Sequence, residues 1–240
     1  MAVGTRAAYQ QLDAGHVVRT LERLETRMAA RFPERNIGRV AGELRGVIDE
    51  AATLGRARST RDQIVDAACR IGAAIVVALA VGALVLSVRD ATHSARGTPA
   101  FEWLPVVESG INDTVFAGIA VYFLLSIPGR RQRGRTLAVL YRLRSLAHVV
   151  DMHQLTKDPE RLRPDFAPTD ASPAVDLTPD ELGRYLDYCS ELLSLVSKAA
   201  ALCSQASTDA VVLDTVSEIE TLTVGMSRKI WQKISLIRSI

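Results

Sequence analysis

The chain has 240 residues, 48% of them hydrophobic but only 5% aromatic, and a formal net charge of +2. Near-neutrality excludes a surface that traps polyanions as a whole, so any cationic function must be local. The three cysteines, Cys69, Cys189 and Cys203, form no CxxC pair, and their odd number argues against a disulfide framework and for small core residues in a reducing compartment.

From about Ala7 to Arg31, the residues Val17, Leu21, Leu24 and Met28 alternate spacings of four and three, which predicts an amphipathic helix ended by Pro33. The pattern restarts with Ile37, Val40, Leu44, Val47, Ala51 and Leu54, a seam of period 3.5, and the two helices are expected to form an antiparallel pair. Thr60 followed by Gln63 has the spacing of a capping box and starts the next helix.

That helix runs into the most apolar part of the chain. Ile71 to Val88 gives 18 consecutive uncharged residues, about 27 Å as helix and close to the hydrocarbon thickness of a bilayer. A soluble core helix would carry a polar stripe, and this run has none. The second run, Thr114 to Gly129, has 16 uncharged residues and reaches about 24 Å, enough to span with flanking groups snorkelling or the bilayer thinning. Some 70 residues precede the first run, so neither run reads as a cleaved signal peptide. Arg56, Arg58, Arg61 and Arg70 precede the first span and Arg130, Arg131, Arg133 and Arg135 follow the second. The segment between carries Arg89 and Arg96 against Asp90, Glu102, Glu108 and Asp113. The positive-inside rule therefore places both termini in the cytoplasm and the loop with Trp103 outside. Within the first span Ala74, Ala78 and Gly82 recur every four residues, a small-residue face that lets another helix approach, either the second span with Ala117 and Gly118 or another copy of the chain. Neither run contains an ionisable residue, which argues against proton relays and ion-transport sites. Glu108 and Asp113 near the outer mouth read most simply as loop carboxylates, with a charged ring in an oligomeric pore as the sharper alternative.

After the second span, Leu137, Leu140, Leu143, Ala147 and Val150 continue a helix that stops near Lys157. Residues 158–179 hold five of the nine prolines and no apolar period, so they read as an extended linker. Thr178, Pro179 and Glu181 then supply an N-cap, an N1 proline and an N3 acid for a helix carrying Leu182, Tyr185, Cys189, Leu192, Val196, Ala199 and Cys203. A last helix from about Thr208 uses Val212, Val216, Ile219, Leu222 and Met226. Its end is basic and amphipathic: Met226, Ile230, Ile234, Ile237 and Ile240 share one face, with Arg228, Lys229, Trp231, Lys233 and Arg238 around it. Such a helix suits either the cytoplasmic lipid surface or the last core position of a bundle.

The one dense chemical cluster, "RLRSLAHVVDMH", contains Arg142, Arg144, His148, Asp151 and His153. His148 and His153 diverge by about 140° on a helix, so a metal site is not expected, whereas His148 and Asp151 at i, i+3 can pair. Arg142 and His148 resemble the Arg-x4-6-His signature of HEPN ribonuclease domains, which are also helical bundles, with Leu143 where a polar residue usually follows the Arg. No Gly-rich phosphate loop, His-Glu-x-x-His or Ser/His/Asp set is present, so no enzyme, catalytic residue, metal or cofactor is expected.

The expected fold class is all-α: a two-span transmembrane helical hairpin with a cytosolic coiled-coil-like helical bundle. The expected division is an N-terminal cytosolic helical hairpin over 1–58, a membrane hairpin over 59–135 with spans at about 71–88 and 114–129 and an outer loop at 89–113, and a C-terminal cytosolic helical region over 136–240. In outline the two-span arrangement is similar to the SLATT effector domains associated with bacterial nucleotide-triggered defence systems, a similarity of topology over the middle third of the chain. The expected function is a membrane-anchored interaction or regulatory module, with a pore-forming effector of a bacterial defence or stress system and a membrane-tethered HEPN-like ribonuclease as alternatives. Expected partners are the lipid bilayer, further copies of the chain in a homo-oligomer and a cytosolic protein; no nucleic acid is expected, because the basic run is explained by topology and aromatic stackers are scarce. The predominance of Arg among the basic residues suggests a GC-rich bacterial genome, and hence the bacterial cytoplasmic membrane as the location.

Overall fold

The structure is a computed structural model that describes residues 12–55, 60–94, 103–167, 169–172, 176–205 and 207–239. Among them the chain is helical throughout, with no strand: α1 (Ala14–Arg31), α2 (Ile37–Gly55), α3 (Thr60–Ser94), α4 (Trp103–Leu155), a 3-10 helix (Pro159–Leu162), α5 (Pro179–Gln205) and α6 (Ala210–Ile237). The start expected near Ala7 lies outside the described residues, as do Arg56, Arg58, Arg96, Glu102 and Ile240. Two compact units are present, one made of Met1–Ala57 with Arg133–Ile240 and the other of Arg58–Gln132.

The first unit is a helical bundle whose seams converge on one core. Val17, Leu21, Leu24 and Met28 of α1 are buried with Ile37, Val40, Leu44, Val47 and Ala51 of α2, Leu140, Leu143, Ala147 and Val150 of α4, and the apolar faces of α5 and α6. Burying one such side chain completely is worth about 1.5–3 kcal/mol, so this core dominates the unit's stability. Local chemistry fixes the helix starts. Asp13 accepts from the Gly15 N–H at the head of α1, and Asp209 accepts from the Val211 and Val212 N–H groups at the head of α6. At α5, Glu181 accepts from the Thr178 N–H at 2.8 Å while the Glu181 N–H donates to Thr178 Oγ1 at 3.3 Å, a reciprocal capping box that holds the Glu181 carboxyl below its usual range.

The second unit contains two helices long and apolar enough to cross a membrane, and almost none of their apolar windows is buried. Gly72 of α3 stands against Leu124 of α4, and Gly110 of α4 against Leu84 of α3. Half-buried or buried positions on α3 recur as Cys69, Gly72, Ala73, Val76, Ala80 and Ser87.

Helix extends further than hydropathy indicated. α3 runs to Ser94 and α4 begins at Trp103, so helix occupies much of the segment read as an outer loop. Pro105 is compatible with this because the first helical turn has no intrahelical acceptors for its N–H groups. α4 also continues through Pro128, where the missing N–H leaves one carbonyl of the preceding turn without its helical donor. The proline-rich segment is not wholly extended: Asp158 caps the 3-10 helix, whose Pro159 is buried and which packs on α6.

Candidate functional site

A chemically varied surface of the bundle is a cleft of about 480 Å³ where three elements meet. The turn between α1 and α2 brings Glu34, Arg35 and Asn36; the last turns of α4 bring Val149, Met152, His153, Thr156 and Lys157; α5 supplies Tyr185. The turn is fixed by Phe32, which is buried edge-on between the rings of Tyr185 and Tyr188, with centroids 5.5 and 6.0 Å away. Such edge-to-face pairs add about 0.5–1.5 kcal/mol to the burial itself.

The Tyr185 hydroxyl and His153 Nδ1 share a hydrogen bond of 3.3 Å. Burial, reinforced by the Lys157 cation, holds the His153 pKa below its ordinary value, so the imidazole is neutral at pH 7. Burial also pushes the Tyr185 phenol well above its ordinary value and keeps it protonated. The Lys157 ammonium lies 5.8 Å from the centre of the Tyr185 ring. Arg35 donates to Asp176 at 2.5 Å, and its cation holds that carboxyl below the usual range.

Behind the cleft, Lys233 of α6 donates to the carbonyls of Gln154 at 2.8 Å and Lys157 at 3.1 Å. It therefore caps the C-terminus of α4, where a cation offsets the negative end of the helix dipole. Of the two settings weighed for this helix end, these donations belong to the bundle, the Lys233 ammonium reaching carbonyls at the end of α4. Burial lowers its pKa, with Asp158 and Asp151 acting in the opposite direction. Arg228, Lys229, Trp231 and Arg238 are exposed, while Met226, Ile230 and Ile234 are buried in the core. The apolar face that a surface-lying helix would insert into lipid is thus already occupied by the bundle.

The residues of "RLRSLAHVVDMH" do not converge. Arg142 is ion-paired with Glu50, Arg144 with Glu218 at 3.2 Å, and His148 is exposed. Asp151 accepts from Gln154 Nε2 at 2.7 Å instead of pairing with His148. Arg142 and His148 are six residues apart on one continuous helix, about 240° around it, so the HEPN-like pair has no shared face. Among the described residues no group of three or more His, Cys, Asp or Glu side chains could hold a metal ion. Cys189 and Cys203 are buried, which pushes both thiols up to about 12 and leaves no nucleophilic thiolate.

Ala74, Ala78 and Gly82 all lie on exposed positions of α3, and nothing approaches the place a Cβ would take on Gly82. Each is two residues, or about 200°, from Gly72, Val76 and Ala80, so the expected packing row and the side of α3 toward α4 are opposite faces. No family model matches the chain, and neither the curated proteins nor the solved structures compared with it gave a match.

Proposed function

We propose that this chain is a two-span membrane protein of a bacterial cytoplasmic membrane whose helical bundle, on the cytosolic side with both termini, acts as an interaction or regulatory module. The observation that carries the reading is where the apolar surface lies. Ile71, Leu79 and Phe116 are 61%, 68% and 70% exposed, whereas the bundle buries its own seams almost completely. Left in water, each such side chain forgoes about 1.5–3 kcal/mol, which a bilayer supplies. The contacts of Gly72 with Leu124 and Gly110 with Leu84 run in opposite chain directions, which supports an antiparallel membrane hairpin. Arg130 lies 5.6 Å over the Phe123 ring, as suits an aromatic and a cation at the membrane boundary. Seams of alternating four and three spacing support coiled-coil-like packing in the bundle.

The test is alkaline carbonate extraction followed by labelling with a membrane-impermeant maleimide in intact cells. Thr92→Cys should be labelled from outside and Ser239→Cys only after lysis, in protein that stays with the membrane pellet. Release of the chain into the carbonate supernatant overturns the reading.

A second reading, a pore-forming effector, is favoured by the small-residue row Ala74, Ala78 and Gly82, which faces away from α4 and is available to another copy. In that case induction depolarises cells, and Gly82→Leu, inserted to the same level, does not.

A further inference from the structure

The cleft at the end of the bundle presents more hydrogen-bond donors than its own acceptors use. Lys157 lies over the face of the Tyr185 ring and makes no ion pair within 4 Å among the described residues, its charge reaching Asp176 only at longer range. Arg35 gives one terminal nitrogen to Asp176, leaving the rest of its donor fork. The Asn36 carbonyl oxygen accepts from Arg39, which leaves its amide N–H groups, and the Thr156 hydroxyl also lines the wall. Glu34, at the rim, is the single carboxylate among the lining residues. Beside Thr156 and Lys157, on the last turns of α4, lies apolar surface that the bundle does not cover, with Met152 65% exposed beside Val149. A cleft of this size accommodates a small molecule, and a few polar donors set among apolar surface are the usual division of labour in a ligand site.

We infer that the cleft binds a small organic phosphate, its phosphoryl oxygens held by Arg35 and Lys157 and its apolar body lying on Val149 and Met152. A phosphate monoester carries up to two negative charges and several acceptor oxygens, matching a guanidinium fork and an ammonium reaching in from separate elements. The proposal rests on the bundle being the working part of the module, and binding is scored separately from membrane insertion.

The experiment is calorimetric titration of the full chain, purified in an uncharged maltoside detergent, with phenyl phosphate as the probe. The expected result is one saturable site. Lys157→Gln should weaken it at least about tenfold, the scale of one lost hydrogen bond to a charged group. Lys157 makes no ion pair within 4 Å among the described residues, so this variant keeps its fold, as circular dichroism will verify. Glu34→Gln should tighten binding by removing the opposing charge. Met152→Ala should weaken phenyl phosphate without changing inorganic phosphate. Absence of saturable binding up to about 10 mM, a range that would detect even millimolar affinity, overturns the proposal. So does unchanged affinity in Lys157→Gln, or benzoate binding as tightly as phenyl phosphate. Loss of binding in a chain that still resists carbonate extraction leaves the membrane reading standing; binding by a chain that carbonate releases does the reverse.

Discussion

Replacing Lys233 with Met separates two physical roles for one cation. Met retains most of the aliphatic stem, so packing beside Ile230 and Ile234 changes little, but both donations to the end of α4 disappear. A hydrogen bond to a charged group is worth about 1.5–3 kcal/mol, so the gross loss is about 3–6 kcal/mol. Against this, Met pays no desolvation, and that burial cost is what depresses the Lys233 pKa. The carbonyl of Gln154 belongs to a residue only 1% exposed, so water replaces the lost donor poorly. The balance is a destabilisation of about 2 kcal/mol, which lowers Tm by about 4–8 °C for a chain of this size. The assay is thermal unfolding followed by far-UV circular dichroism in detergent, with vesicles of anionic and neutral lipid titrated in parallel. A Lys233→Met protein that melts at or above the parent temperature, while losing binding to anionic vesicles, would refute the capping argument and restore the lipid-contact role.

Two further predictions follow from titration. The folded-state pKa of His153 is below its unfolded value, so between the two the unfolded chain binds more protons; stability therefore falls as pH drops below about 6.5 and is level above it. His153→Gln should remove that component, seen as a smaller difference in urea midpoint between pH 8 and pH 5; an identical difference in parent and variant would contradict the assignment. Cys189 and Cys203, with thiols near 12, should resist iodoacetamide at pH 8 in the folded protein and react after denaturation. Rapid modification of either under native conditions would mean the core opens far more readily than its packing implies.

What could be read before the fold was known was whatever depends on neighbours three or four residues away. The seams from Val17 to Met28 and from Leu182 to Cys203 are buried as their spacing required, and the Thr178–Glu181 box closes as its sequence signature specifies. The apolar run from Ile71 announced its own exposure, since no polar stripe was present for water. The cleft was not legible because Arg35, Lys157 and Tyr185 come from three elements far apart in the chain, and nothing in their local patterns marks the encounter. Lys233 was left between two settings for a related reason: charge spacing on a helix does not distinguish a cation that faces lipid from one reaching across to a carbonyl on another helix. For Ala74, Ala78 and Gly82 the period identified a small-residue face but not which side α4 would take. The extent of helix was underestimated around Ser94 and Trp103 because hydropathy marks where apolar residues stop, whereas the backbone ladder needs no apolar side chains to continue.

The packing of α1 and α2 against α5 has a consequence in time. About 120 residues lie between the end of α2 and the start of α5, including both long apolar helices. At a synthesis rate of roughly 5–20 residues per second, the first helical pair waits on the order of 6–25 s for the surface that covers it. Throughout that interval Phe32 lacks Tyr185 and Tyr188, and the seams of α1 and α2 have only each other. The nascent chain thus carries a half-clad apolar pair while the ribosome delivers the two most hydrophobic segments of the protein, and its hazard is premature self-association rather than slow secondary-structure formation.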